Sequence, residues 1–143
     1  MAISFYSEEL SFTLPQKRNR AKWLLSVARS EGKKAGDIQY VFVSDQKILE
    51  INKEYLKHDY FTDIITFPYE EGDILSGDIF ISVDTVRSNA VEYSQTFEDE
   101  LDRVISHGLL HLLGFDDRTE IQQKQMRLKE EECLASRSLY LHP

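Results

Sequence analysis

The stretch HGLLHLLGFDD, residues 107–117, decides how this chain is read. It sets two histidines one helical turn apart in a leucine-rich run, then a glycine, then two aspartates. At about 100° per residue, Leu101, Val104, Ile105, Gly108, Leu109, Leu112 and Leu113 form one broad apolar stripe. A core-facing helix is therefore expected, beginning near Phe97 or Glu98. His107 and His111 project about 40° apart along one border of that stripe. A side chain on such a border is partly desolvated and still opens onto a cleft.

Imidazoles four residues apart are neighbours on a helix surface and can share one metal ion. That spacing alone is common by chance; the glycine and the carboxylates after it add weight. Gly114 can take the left-handed conformation that ends a helix and turns the chain back toward the histidines. Asp117 lies six residues after His111, the offset at which the metzincin pattern H-E-x-x-H-x-x-G-x-x-H places its third ligand. A carboxylate oxygen suits a divalent cation, and three protein ligands leave a coordination position open for water, as catalytic sites do. The candidate metal ligands are thus His107, His111 and Asp117, with Asp116 the rival for third place.

One absence narrows the chemistry. A peptidase of the H-E-x-x-H kind needs a glutamate after its first histidine as general base. Here that position is Gly108, which cannot move a proton, so peptide hydrolysis by that route is not expected. Glu100, two turns earlier on the same face, is within reach of a supporting role but is expected at the surface, paired with Arg103. Two other classes use the same donors. Two histidines and a carboxylate form the facial triad of non-haem iron oxygenases, usually on a β scaffold, and a binding module could use the ion only to brace the helix end.

Outward from the helix, short strands alternate with amphipathic segments. ISFYS (3–7), DIQYVFVS (37–44), TDIITFPY (62–69) and GDIFISV (77–83) read as strands, the third at a sheet edge because of Pro68. RAKWLLSVARSEG (20–32) reads as a helix stopped at Gly32. Asp45 is the expected cap of a helix to about Lys57, and Asp84 of one to about Thr96. Thr119 with Gln122 forms a capping box for a last helix to about Ser136. The expected fold is α+β, a small mixed sheet packed with about five helices in a single domain over residues 1–143.

Composition agrees with a soluble globular chain: 143 residues, 41% hydrophobic and 29% charged. The net charge of -8, from 25 acids against 17 bases, argues against broad nucleic-acid binding through a basic face. Local contacts remain open, through Lys17, Arg18, Arg20, Lys22, Lys53 and Lys57, with Tyr60, Phe61 and Tyr69 available for stacking on unpaired bases. No signal peptide or membrane-crossing run is expected. Cys133, the only cysteine, is expected to be a core residue of a reduced, intracellular protein.

The 107–117 stretch resembles the signature of the YbeY family of metal-dependent endoribonucleases, H-G-x-L-H-L-x-G-Y-D-H. INKEYLKHDYFTDIITFPY (51–69) is similar to that family's L-N-x-x-Y-R-x-x-D-x-P-T-D-V-L-S-F-P segment, and GDIFIS (77–82) to its G-D-I-x-I-S strand. The resemblance implies a zincin-like metal helix and a cytoplasmic, single-strand-specific endoribonuclease. It also implies maturation of the 3′ end of small-subunit ribosomal RNA, ribosome quality control on the small subunit, and one divalent ion, zinc. Two departures matter. Asp117 stands where the family has a third histidine, giving a harder, less positive site. Leu56 stands where it has an arginine, leaving adjacent Lys57 as the candidate substrate-binding cation, without a bidentate grip.

Overall fold

The computed structural model describes residues 3–57 and 62–142. In chain order its elements are β1 (Ile3–Ser7), α1 (Lys17–Ser30), β2 (Lys34–Val43), α2 (Asp45–Leu56), β3 (Ile64–Glu71), β4 (Ile74–Ser82), α3 (Val83–Glu92), α4 (Phe97–Leu112) and α5 (Glu120–Arg137). The sheet order is β1-β2-β4-β3. β1, β2 and β4 run parallel, and β3 pairs antiparallel with β4 through the hairpin turn at Gly72 and Asp73. The mixed sheet with five helices is the α+β architecture expected from the sequence. β3 is an edge strand, which lets Pro68 sit in it.

The sheet has two unlike faces because strand side chains alternate. Ile3, Phe5, Ile38, Tyr40, Phe42, Ile79 and Ile81 join Trp23 and Leu24 of α1, and Val104, Ile105 and Leu109 of α4, in the main core. On the other face Val43 and Ile65 pack with Ile48 and Ile51 of α2, flanked by Val41, Phe67 and Phe80. α4 is thus the central helix of one face, with α2 covering the other. The buried Tyr40 hydroxyl donates to the Ile105 carbonyl at 2.8 Å, pinning β2 to α4.

Several local expectations are corrected. Serines, not aspartates, cap α2 and α3. Ser44 accepts from the Lys47 amide and Ser82 from the Thr85 amide. Asp45 and Asp84 lie one and two residues further in, where they stitch the two helix starts together. The Asp45 carboxylate accepts from the Ser82 and Thr85 hydroxyls, and the Asp45 amide donates to Asp84. α1 begins one turn earlier than expected, and the two hairpin strands run past their expected ends, β3 to Glu71 and β4 from Ile74. Arg20 is not a surface cation. It is 1% exposed, and its guanidinium donates to Asp102 at 2.8 and 3.1 Å. Arg137 of α5 meets the same carboxylate at 2.8 Å, so this ion triad ties α1, α4 and α5 together. Thr119 and Gln122 do form the capping box of α5.

Candidate metal centre

α4 ends as its glycine demands. Gly114 has φ +101, its amide donates to the His111 carbonyl, and the Phe115 amide reaches back to Leu110. This is the paired bonding of a Schellman motif, and it reverses the chain. The reversal carries Asp117 back over the last turn of α4. Its Oδ2 lies 3.4 Å from His107 Nε2 and 3.6 Å from His111 Nε2, while the two Nε2 atoms are 2.9 Å apart. The structure brings these three expected ligands together. Asp116, the rival, turns away to Arg118 at 3.5 Å.

The triangle can be tested against coordination chemistry. Bonds of about 2.0–2.1 Å in tetrahedral array put neighbouring donor atoms roughly 3.3–3.4 Å apart. The three separations bracket that value, so the donors fit one divalent ion. His107 and His111 are 15% and 25% exposed and Asp117 is 40% exposed, so the fourth direction opens to solvent.

The imidazoles are prepared for this role. Glu130 Oε2 lies 2.5 Å from His107 Nδ1. Burial alone would raise the Glu130 pKa, but the hydrogen bond to His107 and the Arg103 guanidinium outweigh it and hold the group below the usual carboxylate range. An ionised carboxylate can only accept, so Nδ1 carries the proton and the Nε2 lone pair faces Asp117. Burial, then the neighbouring His107, pulls the His111 pKa down against the attraction of Asp117 and Asp116. A neutral imidazole is the form that ligates metal.

Behind Glu130 the network continues through Arg103, which contacts Glu130 at 3.1 Å and Glu100 at 2.5 Å. Glu100 is therefore paired with Arg103 as expected, but it is 2% exposed, not a surface group. Glu130 is a residue that sequence reasoning misses. Its signal was present: Met126, Glu130 and Cys133 are the buried residues of α5, a charge set in an inward-facing row. Asp63, at the foot of β3, also feels the site. Burial raises its carboxyl pKa, with His107 and Arg103 pulling the other way.

Gly108 has a structural reason. A Cβ there would lie 2.9 Å from Ile64 Cδ1 and 3.0 Å from Ile79 Cγ2, so this position faces the sheet. Lys57 is exposed at the C-cap of α2, in the left-handed conformation, and has no ion pair among the described residues. Tyr69 is half exposed and its hydroxyl donates to Asp78. Tyr60 and Phe61 lie outside the described residues. Among the described residues no helix is long and apolar enough to cross a membrane.

Comparison with known proteins points the same way. Residues 2–138 match the family described as Endoribonuclease YbeY. The chain is 48% identical to an Endoribonuclease YbeY of Bacteroides thetaiotaomicron, over 96% of this chain and all of that one. It is 49% identical to one from Phocaeicola vulgatus, over 96% and 99% of the two chains. The solution structure of TM1509 from Thermotoga maritima superposes with a TM-score of 0.69 at 30% identity, covering 94% of this chain and 88% of that one.

Proposed function

This chain belongs to the endoribonuclease YbeY family, and on that premise we propose that it is a metal-dependent endoribonuclease cutting single-stranded RNA. Its work is ribosomal RNA processing at the 3′ end of the small-subunit RNA, together with ribosome quality control, in the cytoplasm and in contact with the small subunit. The observation that carries the metal dependence is the convergence of His107 Nε2, His111 Nε2 and Asp117 Oδ2 within 3.6 Å of one another.

These three side chains would hold one divalent ion, zinc being our assignment from the imidazole-rich donor set. When bound, such an ion polarises a phosphate oxygen and lowers the pKa of a coordinated water. The rest of the work falls to the chain. Glu130 holds the Nδ1 proton of His107 and so aims its lone pair. Arg103 keeps Glu130 ionised. With Gly108 turned into the sheet, no side chain stands where a peptidase keeps its base. In a chain of net charge -8, a divalent ion held against one carboxylate would also supply the local positive charge that favours a phosphodiester. Lys57, exposed at the C-cap of α2 beside Leu56, would contact backbone phosphate as a point charge.

Elemental analysis of the purified protein, paired with cleavage of single-stranded RNA with and without chelator, tests the proposal. About one zinc per chain and chelator-sensitive cleavage are expected. Full metal occupancy with intact RNA would overturn the enzyme reading in favour of a bracing ion.

A further inference from the structure

The second face of the sheet carries a groove that the metal site does not use. Ile51 and Tyr55 of α2, Phe67 and Tyr69 of β3, and Asp78 and Phe80 of β4 line an open groove of about 380 Å³. Phe67 stands edge-on to both Tyr55 and Phe80, at 5.9 Å between centroids in each case. Tyr55 is 64% exposed and Tyr69 51% exposed. Asp78 lies directly opposite Phe67 in the hairpin register and accepts from the Tyr69 hydroxyl at 2.6 Å. A carboxylate has about four lone-pair sites, so this bond leaves acceptor capacity at an apolar, aromatic wall.

We propose that this groove is a nucleobase subsite, in which an unpaired base stacks on Tyr55 and Tyr69 and donates N–H bonds to Asp78, guanine being preferred. The inference rests on the endoribonuclease reading above and deepens it. Guanine offers two adjacent N–H donors on its pairing edge, whereas uracil offers one flanked by carbonyls that a carboxylate repels. Aromatic stacking accepts any base and gives the affinity; the carboxylate gives the choice. Lys57, two residues past Tyr55, is exposed and without an ion pair among the described residues, so it can meet the adjoining phosphate.

The edge strand links the two sites. Ile64 of β3 packs toward Gly108, next to His107, while Phe67 faces the groove on the opposite side. A single strand crossing the free edge of β3 has the metal helix on one side and the aromatic groove on the other.

The test uses zinc-loaded full-length protein and fluorescent 2′-O-methyl hexamers, one all uridine and one with a single guanine. Wild type is expected to bind the guanine-containing hexamer more tightly, and Asp78→Asn to erase that difference. Tyr55→Ala should weaken both hexamers about tenfold and raise KM for RNA cleavage without lowering kcat. Circular dichroism checks that both variants stay folded. Variants that bind and cleave like wild type would overturn the subsite while leaving the nuclease intact. Variants that keep RNA binding but lose a co-purifying protein would reassign the groove to a protein partner. A wild type that neither binds nor cleaves single-stranded RNA would instead bring down the nuclease reading itself.

Discussion

Glu130, on α5, holds its carboxylate 2.5 Å from the Nδ1 atom of His107, on α4. The bond fixes a tautomer and leaves Nε2 as the donor that faces Asp117. Glu130→Gln keeps the volume but removes the charge that would make His107 a better ligand. Zinc affinity is expected to fall about 10- to 100-fold, with the far-ultraviolet spectrum unchanged. Competition with a chromophoric chelator measures it. Wild-type affinity in this variant would show that the bond is not needed to prepare the ligand.

Removing a donor from the triangle should act on metal and activity together. His111→Ala is expected to lose stoichiometric zinc and RNA cleavage while its urea unfolding remains cooperative. Asp117→His replaces a hard oxygen by a nitrogen and should strengthen zinc relative to manganese in a competition titration. Global unfolding of His111→Ala would mean that the ion braces the helix end.

Asp102 accepts from Arg20 and Arg137 and is itself fully buried. Asp102→Ala removes the carboxylate that the two guanidiniums share at a three-helix junction. Buried Arg20 is left with the Pro15 carbonyl and the exposed Glu98, and Arg137 with Asp99. A loss of about 3–5 kcal/mol is expected in chemical denaturation. A loss below about 1 kcal/mol, the worth of an ordinary surface pair, would contradict the role assigned to the triad.

Gly108→Glu recreates the glutamate of a zinc peptidase on this helix. Here it would force a carboxylate between Ile64 and Ile79. The expected result is an unfolded or insoluble chain, since a charge buried without a partner costs several kcal/mol. A stable variant with peptidase activity would show that position 108 faces the cleft.

Cys133 reports on the α1–α5 contact. Burial, then the charge of Glu132, pushes its thiol up to about 11 from an ordinary 9, with Lys129 opposing and Glu130 and Glu31 adding to the rise. Between those pH values the unfolded chain gives up a proton that the folded one keeps. Stability therefore falls as pH rises from about 9. Wild type should lose about 1 kcal/mol more than Cys133→Ala between pH 8 and pH 10. Tyr40, also raised by burial, adds a loss of the same sign at higher pH in both proteins. Equal losses in both proteins at pH 10 would place the thiol in water.

The metal helix is readable because its signals are local: a 3.6-residue stripe, histidines four apart, and a glycine that can reverse the chain. The α5 capping box is readable for the same reason. The features that escape depend on distant partners. Arg20 looks like a surface cation until Asp102, 82 residues away, comes alongside. Asp45 and Asp84 look like caps as good as the serines before them, and only the contact between the two helix starts separates the roles. Glu130 becomes a support for His107 only when α5 docks on α4. The spacing marks the candidate donors; the tertiary contact with Glu130 determines which nitrogen His107 presents.

The junction of Arg20, Asp102 and Arg137 joins the early, middle and late parts of the polypeptide. During synthesis both imidazoles are added to the chain before Glu130 and Arg137. A nascent chain that has already delivered its donors therefore still lacks the helix that orients one of them and locks the other helices in place. The junction closes, and His107 gains its carboxylate partner, only once α5 has been added.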